Sequence, residues 1–208
     1  RTYALDFFGF GESGVVNNLE TPRALDAFTV PTYVEMVYQF MERLGIKKAP
    51  LIGHSMGGTV SLSTAIHYPE KVVKVCVIGS PIAGKSLNLL LKLSGYPTLA
   101  SVFWLFGGRG LRLFLRGYSY FMAQDGSAMS RMISKDVSMI SMESFFQSIG
   151  TLRQTDLRPD LYRVKVQTLG MYGKKDIIVR PSEHQTLKQG VPHAQIEWFP
   201  DAGHFIMM

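Results

Sequence analysis

Ile52-Gly53-His54-Ser55-Met56-Gly57-Gly58 decides the fold of this chain. It is a Gly-x-Ser-x-Gly pattern with an apolar run before it and a helix-compatible run after it, the signature of a serine held on a tight strand-to-helix turn. Gly53 and Gly57 leave room for a strained backbone and for close packing of strand on helix. Such a turn exposes the Ser55 hydroxyl and aims the first helix amides at whatever the hydroxyl attacks, so Ser55 is the candidate nucleophile.

The flanks agree with that reading. Ala49-Pro50-Leu51-Ile52 is short and apolar, as expected of a strand buried on both faces of a parallel sheet. Thr59 to Tyr68 suits a helix that stops before Pro69, and Val72 to Gly79 is a β-branched run that predicts the next strand. Strand, turn, helix, strand is a βαβ unit with Ser55 at the carboxyl edge, where reactive groups of open α/β sheets gather. Two more strands are predicted at Val166–Gly173 and Ala194–Phe199. Asp176 follows the first of them, ahead of a helix opened by Pro181, and His204 follows the second. The chain order Ser55, Asp176, His204 is that of one Ser-Asp-His fold and of neither common protease. Asp201 is a rival acid, but its place suits the turn that presents His204.

Gly53–Gly58, Tyr172-Gly173-Lys174-Lys175-Asp176, Asp201-Ala202-Gly203-His204-Phe205 and Asp6-Phe7-Phe8-Gly9-Phe10-Gly11-Glu12-Ser13 together resemble the motifs of the α/β-hydrolase superfamily, in order and across nearly the whole chain. The resemblance implies an α/β fold: a mostly parallel sheet flanked by helices, with a core at 1–80 and 160–208 and a helical cap at 81–159. It implies a Ser55-His204-Asp176 triad in which the Met56 backbone N–H is the first oxyanion donor. It also implies that Arg1 to Asp6 is the family's fourth strand. The strands and the His-Gly loop that supply a second donor in the family would then precede Arg1, so a partial chain is expected.

The region from Ser86 to Ala123 is rich in Leu and aromatics, and the region from Ser127 to Leu152 repeats Met, Ile and Phe at helical intervals. As cap walls these predict an apolar, permissive substrate site, because methionine adapts to varied apolar shapes. The expected activity is cleavage of a small apolar carboxylic ester through an acyl-enzyme. Carbon–carbon bond hydrolysis, cofactor-free perhydrolysis and noncatalytic ligand binding are the alternatives on the same fold.

Among 208 residues, 46% are apolar, enough for a real core. Lys92 and Pro97 interrupt the greasiest region, so no transmembrane segment is expected. Net charge is +6, and seven basic residues from Lys71 to Arg116 meet no acid between Glu70 and Asp125. That block suits a solvated helical face, with peripheral contact to an anionic lipid surface as the alternative. No nucleic-acid motif, phosphate loop, metal spacing or cofactor signature occurs. Single Cys76 cannot form an internal disulfide and reads as a small buried apolar group in a reducing, cytoplasmic setting. His54 reads as structural packing, pointing away from the nucleophile, and His67, His184 and His193 as solvated side chains. The sequence leaves the oligomeric state open.

Overall fold

Thr29 starts the first helix of the molecule. Its backbone is extended, its hydroxyl accepts from the Thr32 N–H, and Pro31 occupies the first turn where a missing donor costs nothing. The helix, α1 (Val30–Arg43), buries Val30, Tyr33, Val34, Val37 and Met41, one stripe at helical spacing. A computed structural model gives the fold over residues 1–13, 27–94, 117, 125–138 and 142–208.

After α1 the chain alternates: β1 (Ala49–His54), α2 (Met56–His67) and β2 (Val72–Ile78) form the expected βαβ unit. An insertion follows, with α3 (Leu89–Ser94), α4 (Gly126–Ser138) and α5 (Met142–Gln154). Then come β3 (Gln167–Gly173), α6 (Glu183–Gly190) and β4 (Gln195–Phe199). The four strands are parallel in the order β1-β2-β3-β4. After a register shift in the β1–β2 pair between Ala49 and Leu51, the pairs run in step, and Ile52, Cys76, Leu169 and Gln195 form one row across the sheet. Side chains on a strand alternate faces, and the next row, Gly53, Val77, Gly170 and Ile196, points to the opposite side.

On that opposite side sits the core. Val75, Val77 and Tyr172 pack with Leu62, Ala65 and Ile66 of α2 and Leu187 of α6. A second cluster joins Tyr33, Val37 and Met41 of α1 to Val60 of α2 and to Leu152 of α5. The first row is far less covered: Ile52 is 74% exposed, Gln195 is exposed, and Cys76 and Leu169 are half-buried. The expectation that β1 is buried on both faces is therefore corrected. Helices of the described residues cover one face, and the side chains of Pro50 and Ile52 reach solvent.

A second correction concerns Arg1 to Asp6. These residues join no ladder, and among the described residues β1 has a strand neighbour on one side only. A strand exists only through its neighbour, and the order of the sheet gives this segment none.

The ends of the insertion are fastened together. Ala83 and Asp156 form an antiparallel bridge, Gly84 N–H donates to Thr155 O (2.8 Å) and Leu157 N–H to Ile82 O (3.0 Å). The buried Glu183 carboxylate, at the start of α6, accepts from the amides of both Ile82 and Ala83. Helix α5 is bonded to the core by Ser144 Oγ to Gly9 O (2.7 Å) and by Ser148 Oγ to Tyr33 Oη (2.7 Å). Burial pushes the Tyr33 phenol up to about 12, opposed by its bond to Ser148. Most of the helices expected between Ser86 and Ala123, with Arg109, Arg112 and Arg116 of the basic block, lie outside the described residues.

Candidate active site

β1 ends at His54, and the chain turns at Ser55 with φ 52° and ψ −123°; among the described residues Ser55 is the one non-glycine with positive φ. A side chain in that region costs about 1–3 kcal/mol and persists only where its surroundings enforce it. Two contacts do so here. Ser55 N–H donates to Ile78 O at the end of β2 (2.8 Å), and Ser55 O accepts from Gly58 N–H (3.0 Å) as α2 begins. Gly53 is required as well, since a Cβ there would lie 2.2 Å from the Gly57 carbonyl. Met56 N–H is the first amide of α2, and the first amides of a helix have no acceptor within it. The helix itself starts three residues earlier than the expected Thr59.

The loop after β3 presents Asp176. Its Oδ1 accepts from the amides of Ile178 (2.8 Å) and Val179 (2.9 Å), which fixes the carboxylate plane, and its Oδ2 accepts from His204 Nδ1 (2.8 Å). Both side chains are buried. With Nδ1–H donated to the carboxylate, His204 Nε2 keeps a bare lone pair, the arrangement of an oriented base. Gly79, at the end of β2, has φ +53°, and a Cβ there would stand 3.2 Å from the His204 carbonyl, so the histidine loop passes directly over it. Asp201 takes another partner, an exposed ion pair with Lys175 at 3.0 Å.

The structure thus brings Asp176 and His204 into direct contact, and it places Ser55 and Met56 on the turn after β1, where Ser55 N–H is bonded to the end of β2 that the histidine loop crosses. The link is His54: its ring centroid lies 4.7 Å from that of His204 and 4.6 Å from that of Phe205, and its Nε2 donates to His204 O at 3.0 Å. Burial, and then the charge of His204, push His54 down to about 4, so it is neutral near pH 7. His54 therefore packs as a structural residue, as expected, and the surface it packs on is the loop that carries His204. Of the others, His67 and His193 are exposed, whereas His184 is half-buried beside Trp198, 4.5 Å between centroids. Cys76 is only half-buried, with Sγ 3.8 Å from Met171 Sδ.

Two cavities formed by described residues lie elsewhere. One of about 810 Å³ opens between α6 and β4, and one of about 570 Å³ lies on the sparsely covered face beside Ile52, Cys76 and Leu169. Neither touches Ser55, Asp176 or His204, and their openness to solvent argues against either as an enclosed substrate site.

A family model described as the alpha/beta hydrolase fold matches residues 1–208. The chain belongs to that family. This α/β-hydrolase-fold chain is 30% identical over 176 residues to the 2-hydroxy-6-oxo-6-phenylhexa-2,4-dienoate hydrolase of Burkholderia cepacia, an alignment covering 79% of the chain and 59% of the relative. It is 29% identical to the 2-hydroxymuconate semialdehyde hydrolase of Pseudomonas putida, covering 99% of the chain and 70% of that protein. It therefore spans 59% of the length of the Burkholderia relative. Among solved structures, an esterase from Exiguobacterium antarcticum superposes with a TM-score of 0.77 at 20% identity, over 98% of this chain and 74% of the other. A meta-cleavage product hydrolase from Pseudomonas fluorescens IP01 gives 0.68 at 20%, over 91% and 68%. These two likenesses bear on the fold, a parallel sheet flanked by helices. No helix among the described residues is long and apolar enough to cross a membrane.

Proposed function

We propose that this chain carries the catalytic core of a serine hydrolase that cleaves a carbon–carbon bond next to a ketone, in an acid of the 2-hydroxy-6-oxo-dienoate type. The sequence alone favours an ester; the relatives named for dienoate and semialdehyde substrates tip the choice to the carbon–carbon alternative. The single observation that carries a catalytic reading at all is the Asp176–His204 hydrogen bond beside a strained Ser55.

The chemistry suits such a substrate. Once the 2-hydroxydiene is in its keto form, the ketone carbon at position 6 is bonded to a CH2 group at position 5, which the C3=C4 double bond links to the new carbonyl at position 2. Ser55 Oγ adds to the ketone carbon while His204 Nε2 takes its proton, with Asp176 holding the imidazole in the working tautomer and steadying the imidazolium. The Met56 N–H supplies one donor to the oxyanion. Collapse breaks the C5–C6 bond, its electron pair passes into the conjugated carbonyl as a dienolate, and His204 returns the proton to carbon. Water, deprotonated by His204, then hydrolyses the acyl-serine.

The test uses the full-length protein with 2-hydroxy-6-oxo-6-phenylhexa-2,4-dienoate, with p-nitrophenyl butyrate, and with a fluorophosphonate probe. We expect bleaching of the dienoate with release of benzoate, at a kcat/KM at least about tenfold above that for the ester, and Ser55→Ala to lower kcat by about 10⁴- to 10⁶-fold. Faster ester turnover returns the assignment to the ester reading. Neither turnover nor labelling of Ser55 leaves the ligand-binding role.

A further inference from the structure

β1 and β4 never touch, because β2 and β3 stand between them. Yet the loop after β4 has to carry His204 back across the sheet to β1, the strand that leads into Ser55. Three sets of contacts fix that path. Lys174 and Lys175 N–H donate to Phe199 O (2.9 Å) and Ala202 O (3.0 Å), holding the loop over the end of β3. Asp176 Oδ2 then takes His204 Nδ1, again from the β3 side. The third is the bond from His54 Nε2 to the His204 carbonyl, and of these three it alone reaches β1.

We propose that His54 is a positioning residue that sets the separation between the His204 imidazole and Ser55. The reading rests on the serine hydrolase assignment above. His54 immediately precedes Ser55, so its Cα moves with the elbow, and its ring nitrogen holds the main chain of the base residue itself. A two-ended strut of this kind constrains the distance between the two residues, which the Asp176 bond does not, since Asp176 orients the imidazole from the far side. The groups facing His54 are His204, Phe205 and Asp176. Depression of its basicity keeps Nε2 a neutral donor near pH 7. Misplacement of a reacting group by about 1 Å costs on the order of 100-fold in rate.

The test compares His54→Leu, which removes the donor, with His54→Gln, whose amide nitrogen can reach the place of Nε2. Two readouts are taken on the full-length protein. In the first, we expect His54→Leu to lower kcat about 10- to 100-fold with KM within about twofold, and His54→Gln to recover most of the loss. The second is the downfield proton resonance of His204 Nδ1–H, assigned by its disappearance in Asp176→Asn. It should broaden or shift in His54→Leu and return in His54→Gln. Thermal unfolding of each variant is followed alongside. The proposal is overturned if His54→Leu leaves kcat and the resonance at wild-type values, or if both variants lose activity equally in step with their melting temperatures. Should the wild type turn over no substrate, the assignment of function falls, and the resonance by itself decides whether His54 holds the base.

Discussion

The two faces of the sheet carry neighbouring rows of the same four strands, yet they live in different surroundings. Val75 and Val77 are almost wholly buried under α2 and α6, whereas Ile52, in the row beside them, is 74% exposed. Parallel sheets normally bury both faces. What separates these two is the helices packed on them rather than the residue types, since both rows are mainly apolar. The sparsely covered face is itself uneven: its carboxyl end, at His54, is roofed by His204 and Phe205, and among the described residues no helix covers its amino end. Among the described residues the Asp176–His204 pair thus sits where the packed face meets the lightly covered one.

Substitutions on each side measure how deep that difference runs. Gly53→Ala should have the largest effect, a loss of about 3 kcal/mol or more in urea unfolding, because its new Cβ would meet Gly57 backbone that cannot swing aside. A cost below about 1 kcal/mol would mean that strand and helix are not locked together there. Next comes the roofed end of the open face. His54 titrates near 4 when folded and near 6.5 when unfolded, so the unfolded chain binds the extra proton between those values. The associated stability is present above pH 6.5 and is lost as pH falls toward 4, by up to about 3 kcal/mol. His54→Leu should flatten that part of the stability profile, and an unchanged slope would deny the burial of the ring. The smallest effect belongs to Ile52→Lys, expected to shift stability by less than about 0.5 kcal/mol and to reduce concentration-dependent light scattering. A loss above 1 kcal/mol in the full-length protein would show that this face is buried there, and the contrast would vanish.

Much of this was legible in residue order. The elbow at Gly53–Gly57 and the strands on either side follow from local signals, because each depends on a few adjacent residues, whereas the pairing of Asp176 with His204, 28 positions on, was legible through the order of motifs that the family resemblance supplies. What failed depends on neighbours far along the chain. Ala49–Ile52 is apolar enough for a strand buried twice over, and four residues carry no record of which face a helix will cover. Arg1–Asp6 has the residues of a strand but no partner to make it one. Helix α1 was absent from the expectations even though Thr29 before Val30-Pro31 is a recognisable start. The role of His54 was hidden because its bond spans 150 positions.

The bridge at Ala83–Asp156, with Glu183 gripping the amides of Ile82 and Ala83, closes the long excursion at its root. Contacts at that root bring the two stems together, and loop-closure cost grows only slowly with added length. The excursion is also stitched down along its described length, with Leu87, Met129 and Leu152 in the core cluster and Ser144 and Ser148 bonded to Gly9 and Tyr33, so a change in its helices is felt directly by α1.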